Sequence, residues 1–154
     1  MASLIITASS TGPTLALNPL LTEATKNQAS QTIEYSVERP TSTSALRIYN
    51  EIIEASRRYG VDTDNALRIA HCESQFRQYD EQGNVLRGIQ NPADTGIFQI
   101  NEKYHLDQSQ AIGLDIHQKT GNIEYAMWLM KKETNKHWKW SKPCWSGENN
   151  LATK

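Results

Sequence analysis

Ile69-Ala70-His71-Cys72-Glu73-Ser74-Gln75-Phe76 sets a carboxylate in the apolar register of a helix. Read as the last two helical turns, it puts Ala66, Ile69, Ala70, Glu73 and Phe76 on one face. Four of those five residues are apolar. Glu73 then points toward a core, where a carboxylate is poorly solvated. Such a group keeps its proton to higher pH, which is what a general acid needs. Further on comes Asp94-Thr95-Gly96-Ile97-Phe98-Gln99-Ile100-Asn101. It joins a second carboxylate to a glycine turn, an apolar anchor and two amides. The rest of the chain reads as a frame that presents these two segments to each other.

A helix is expected before the first segment, from about Ser44 to Tyr59. Its inward stripe would be Leu46, Tyr49, Ile52, Ile53 and Ser56, and Gly60 would end it. Asp62 or Asp64 caps the next helix, which carries Glu73 and runs to about Gln75. Tyr79 to Thr95 is rich in turn residues, with a short strand expected over Val85 to Gln90. Asp80 to Asn84 lacks the ligand spacing of a calcium loop and reads as a solvated turn. Asn101 caps a helical turn, and Ser109 to Leu114 forms another. Ile123, Ala126, Met127 and Met130 mark a clear helix that begins at Thr120 or Gly121. Trp138, Trp140 and Trp145 crowd the end of the chain, where packing in the core is favoured over stacking on a ligand.

Residues 1–40 differ in kind. They are rich in Ser, Thr, Ala and Asn and read as a disordered leader or linker, with a short helix near Leu20 to Ala29. Residues 41–154 form the domain. Leu4-Ile5-Ile6 has no basic flank and is too short for a signal peptide. No stretch approaches the roughly 18 apolar residues of a membrane span. The formal net charge of -1 gives no pull toward nucleic acid. The two cysteines, Cys72 and Cys144, flank the site segments. Two buried free thiols are one possibility. A disulfide is the expectation, and in the chain-entropy model it would stabilise the fold by about 4 kcal/mol.

Several chemistries lack their residues. There is no H-E-x-x-H, no paired C-x-x-C, no G-x-S-x-G and no phosphate-cradling glycine loop. Carboxylates remain, and they are the groups that glycoside hydrolysis uses.

His71-Cys72-Glu73-Ser74-Gln75-Phe76 resembles the Glu-Ser motif that ends the catalytic helix of lysozyme-like enzymes. Asp94 to Asn101 resembles their Gly-Ile-Leu-Gln-Ile motif, and Asn122 to Ala126 resembles the block behind the cleft. Together, over roughly residues 44 to 145, the three are similar to soluble lytic transglycosylases and to goose-type lysozymes. The resemblance implies a mainly α (α+β) lysozyme-like fold, with a short β-hairpin or turn region beside a saccharide cleft. It implies cleavage of the MurNAc-GlcNAc β-1,4 bond of peptidoglycan, outside the cytoplasm, by a monomer without metal or cofactor. Glu73 would be the acid, and Ser74, Gln99 and Asn101 would meet the substrate or orient the acid.

Two departures from the family pattern matter. Its Ala-Tyr-Asn block is missing, which leaves Tyr125 as a poor stand-in for a tyrosine beside the acid. Asp94 falls where C-type lysozymes, which hold a retaining carboxylate pair, place their second carboxylate. It would either complete such a pair or cap the turn after Asn91-Pro92. Three readings follow. In the favoured one, Glu73 works alone as a lytic transglycosylase. In the second, Glu73 and Asp94 act as a hydrolase. In the third, the chain is a wall-binding module or a structural piece of a secretion or phage machine.

Overall fold

The computed structural model describes residues 37–147. The expected leader with its short helix, and the last residues, fall largely or wholly outside that range. Within it the chain is mainly helical with one small two-stranded sheet. The order is α1 (Thr43–Tyr59), α2 (Thr63–Ser74), β1 (Asp94–Thr95), β2 (Ile100–Asn101), α3 (Glu102–Ala111) and α4 (Lys119–Glu133). A 3-10 segment, Lys136–Ser141, and the short α5, Lys142–Trp145, close it.

The ends of α1 and α2 follow from local chemistry. The Ser42 hydroxyl accepts from Ala45 N–H at 3.3 Å, and Gly60 takes φ 68° and closes the last turn of α1. Asp62 caps α2 by accepting from Asn65 N–H at 2.9 Å. The buried face of α1 is Ala45, Ile48, Ile52, Ala55 and Ser56, one step round from the expected stripe. The reason is that α1 is covered by both α2 and α4. Small residues let two neighbours approach its backbone, while Tyr49 and Ile53 pack at the margins and Leu46 is half-buried. Ion pairs Arg58–Glu124 and Lys119–Glu51 join α1 to α4.

Helix α2 stops at Ser74, one residue before the expected end. Gln75 and Phe76 both adopt left-handed φ, 55° and 61°. Phe76 is therefore not on the helical face, yet the turn returns its ring to the core at 2 % exposure. Two successive non-glycine residues in that region are strained by about 1 kcal/mol or more each. The strain begins two residues after Glu73, just past the end of α2.

The strand expected over Val85 to Gln90 is reduced to isolated bridges, Tyr79 to Val85 and Arg87 to Thr95. The sheet instead pairs Asp94 with Asn101 and Thr95 with Ile100, antiparallel. Helix α3 is also longer than the two separate turns expected. Only Ser109 is buried along it, so it shows no apolar period to read. Asn101 caps it, as expected, by accepting from Lys103 N–H at 3.1 Å. Glu102 pins its start through Arg87 at 2.6 Å and His117 at 3.0 Å.

Two fully buried amides hold the turn between the strands. Gln78 Oε1 accepts from Ile97 N–H at 3.1 Å, and its Nε2 donates to His117 O at 3.0 Å. Asn122 Oδ1 accepts from Phe98 N–H at 3.0 Å, and its Nδ2 lies 3.0 Å from Thr95 O and 2.9 Å from Ile116 O. Between them runs Gly96, at φ 72°, where a Cβ would come within 2.5 Å of Gln78 Oε1. Asn122→Ala strips partners from buried backbone groups, at a cost of about 3 kcal/mol. A urea titration should show a clearly lower midpoint; an unchanged midpoint would mean the amide is not holding the turn.

Candidate functional site

A cleft of about 670 Å³ runs between the end of α2, the 86–91 loop, the β1–β2 hairpin, α3 and the 3-10 segment. Glu73, Asp94, Gln99 and Asn101 all line it. Each arrives from a different local cause. Glu73 is the penultimate residue of α2, so the helix end delivers it. The strand register sets Asp94 opposite Asn101. Gln99 sits in the hairpin turn at φ 46°, with its Nε2 donating to Gly96 O at 2.8 Å.

Glu73 is half-buried. Burial pushes its carboxyl above the usual range, and the nearby Asp94 charge adds to that. One hydrogen bond works in the other direction: Ser141 Oγ donates to Glu73 Oε1 at 2.5 Å. The net effect is a carboxyl that holds its proton to higher pH than an ordinary glutamate, as an acid at this position requires.

Asp94 does not cap the turn as sequence reasoning allowed. Asn91 does that, with its Oδ1 accepting from Ala93 N–H at 3.3 Å. Asp94 Oδ1 instead accepts two side-chain amides, Asn91 Nδ2 at 3.0 Å and Asn101 Nδ2 at 2.7 Å. The aspartate is thus held in the cleft wall, and Asn101 acts both as helix cap and as its anchor.

Two expected contacts are displaced. Ser74 is buried, with its Oγ 3.3 Å from Ala70 O and 3.1 Å from Arg77 N. It secures the end of α2 and does not line the cleft. Tyr125 is fully buried on α4, stacked on Trp128, and donates to Gln108 Oε1 at 2.8 Å. Burial, with the charge of Glu133, pushes its hydroxyl up to about 12. It stands behind the wall: His105 Nδ1, from a residue that does line the cleft, is 3.1 Å from its hydroxyl. Burial and the neighbouring His137 lower the His105 pKa, which favours the neutral ring.

The disulfide is present. Cys72 and Cys144 are bonded with their Cα atoms 6.1 Å apart. This bond fastens α5 to the residue before Glu73, and the segment leading into α5 places His137, Trp138, Trp140 and Ser141 on the cleft. Trp138 packs as expected, at 4 % exposure, with Nε1–H donating to Phe98 O at 2.8 Å. Trp140 does not. It is 86 % exposed, on a segment whose backbone kinks at Trp138 (φ -105°, ψ 23°). Tyr104, from α3, is 81 % exposed on the same cleft.

Ser141, Trp140 and Tyr104 are the residues that sequence reasoning missed as a set. A signal existed for Ser141: it lies three residues before Cys144, whose bonded partner adjoins Glu73. Among the described residues, no cluster of three or more His, Cys, Asp or Glu is placed to hold a metal ion, and no helix is long and apolar enough to cross a membrane. No family model, no curated protein and no solved structure matches this chain.

Proposed function

We propose that the chain cleaves the β-1,4 bond between MurNAc and GlcNAc in peptidoglycan, as a lytic transglycosylase with a lysozyme-like fold. The observation that carries this reading is the Glu73 carboxyl. It lies at the end of α2, opens on the cleft and is held above its ordinary pKa by burial and by Asp94. In the reaction Glu73 gives its proton to the glycosidic oxygen as the bond to C1 breaks. The MurNAc C6 hydroxyl then closes on C1, its proton returns to Glu73, and a 1,6-anhydro sugar is left. The exposed rings of Trp140 and Tyr104 suit the apolar faces of sugar units. The disulfide supports work outside the cytoplasm, in an oxidising compartment where such bonds persist.

A second reading rests on Asp94. It shares the cleft with Glu73 and interacts with it electrostatically, as the second carboxylate of a hydrolase would. The first reading is preferred because Asp94 Oδ1 is already engaged by two amides, which stabilise its charge without substrate. Asp94→Asn separates the two. On purified sacculi the variant should keep activity within about tenfold of wild type and still yield 1,6-anhydro ends, since removing a satisfied neighbour costs little beyond about 1.4 kcal/mol. Reducing ends from wild type, with a folded and inactive Asp94→Asn, would replace the first reading by the second. A purely wall-binding role is disfavoured, because binding alone has no use for a desolvated acid.

A further inference from the structure

We propose that Ser141 is a positioning residue for the Glu73 carboxyl, and that the Cys72–Cys144 disulfide is what keeps it there. This rests on Glu73 being the acid. The geometry has three parts. Ser141 Oγ is 2.5 Å from Glu73 Oε1 and 3.1 Å from Trp138 O. Trp138, three residues earlier, is fixed in the core through Phe98. Cys144, three residues later, is bonded to the residue that precedes Glu73. Ser141 is therefore the midpoint of a segment clamped at both ends, and the second clamp is covalent.

The chemistry of the contact is directional. A hydroxyl has a single proton to donate. When Ser141 donates to Oε1, that oxygen is an acceptor and the acidic proton is left to Oε2. Without the donor the proton can sit on either oxygen, and part of the population holds it on the wrong one. The same bond stabilises the carboxylate after proton transfer, against the desolvation that disfavours it. Trp138 O is a second acceptor for the same hydroxyl, so Ser141 also has a place to turn if Glu73 presents its proton to it. The charged and titratable groups that line the cleft with Glu73 are Arg77, Arg87, Asp94, Tyr104, His105 and His137. None of these six hydrogen-bonds to Oε1; the donor there is Ser141.

The test uses Ser141→Ala, Ser141→Thr and the double variant Cys72→Ser/Cys144→Ser in the full chain. Glu73 is titrated by carboxyl carbon NMR, and lysis of sacculi is followed across pH. Ser141→Ala should move the Glu73 midpoint upward, and with it the alkaline limb of the rate profile. It should lower kcat about tenfold with KM little changed, as loss of one hydrogen bond to a charged group implies. Ser141→Thr, which keeps the hydroxyl, should restore both. The double cysteine variant should move the midpoint in the same direction as Ser141→Ala. A wild-type midpoint and kcat in Ser141→Ala would overturn the positioning role. A wild-type midpoint in the folded cysteine variant would overturn the disulfide's part. The NMR midpoint decides the contact even where sacculi are not cut, so a failure of the peptidoglycan reading is seen separately as an inactive wild type.

Discussion

Glu73→Gln should slow lysis of sacculi by about 10³-fold, the middle of the range a positioned general acid contributes. The amide matches the carboxyl in size and can still accept from Ser141, but it has no acidic proton to give to a glycosidic oxygen. The fold should not suffer. Burial and Asp94 raise the Glu73 pKa in the folded chain above its unfolded value. For an acid shifted in that direction, ionisation subtracts stability from the native state. Below the unfolded pKa there is no effect. As pH rises through the interval up to the folded pKa, the native state loses stability, and the loss is complete above it. The neutral variant escapes this loss. Thermal midpoints of the two proteins should coincide in acid, and the variant should be level or higher near neutrality. An active variant, or a variant that melts well below wild type, would place the acid elsewhere or give Glu73 a purely structural role.

The second large effect concerns the bridge. Removing both sulfurs, as Cys72→Ser/Cys144→Ser, should cost about 4 kcal/mol of stability. The bridge spans 72 residues of sequence, nearly the whole distance from α2 to α5. Its loss returns that loop's freedom to the unfolded chain. It also releases α5, which has only four residues and buries none of them. Trp138 in the core and the Trp145 Nε1–H donated to Trp138 O at 2.9 Å still contribute to holding the terminal segment. Guanidinium unfolding with and without reductant measures the change directly. Equal midpoints for oxidised and reduced protein would show that the bridge adds nothing to the fold.

What could be read from the sequence is what rests on period and on caps. Ile69, Ala70 and Glu73 keep helical spacing, so α2 and its inward carboxylate were legible. Ile123, Ala126, Met127 and Met130 gave α4 in the same way, and Asp62, Gly60 and Asn101 marked their helix ends. What could not be read has no such signature. Strands of two residues are too short to alternate, so the β1–β2 pair was hidden and a strand was expected over Val85 to Gln90 instead. Helix α3 is polar on nearly every side and is held by Arg87 and His117, which are distant in sequence. Ser74 and Tyr125 carry hydroxyls, and only the fold shows that both are buried on their own local partners. Ser141 is an ordinary serine until a disulfide brings it to Glu73. The pairing of Cys72 with Cys144, expected from the sequence and present in the structure, is thus the piece of information from which the placing of Ser141 in the cleft wall follows.

The most direct measurement is mass spectrometry of the fragments released when wild-type protein is incubated with purified sacculi. Muropeptides that end in 1,6-anhydro-MurNAc are expected, and they should be absent when Glu73→Gln is used in its place. Sacculi left uncut by folded, oxidised wild-type protein, or equal release by wild type and Glu73→Gln, would contradict the assignment of Glu73 as the acid of a lytic transglycosylase.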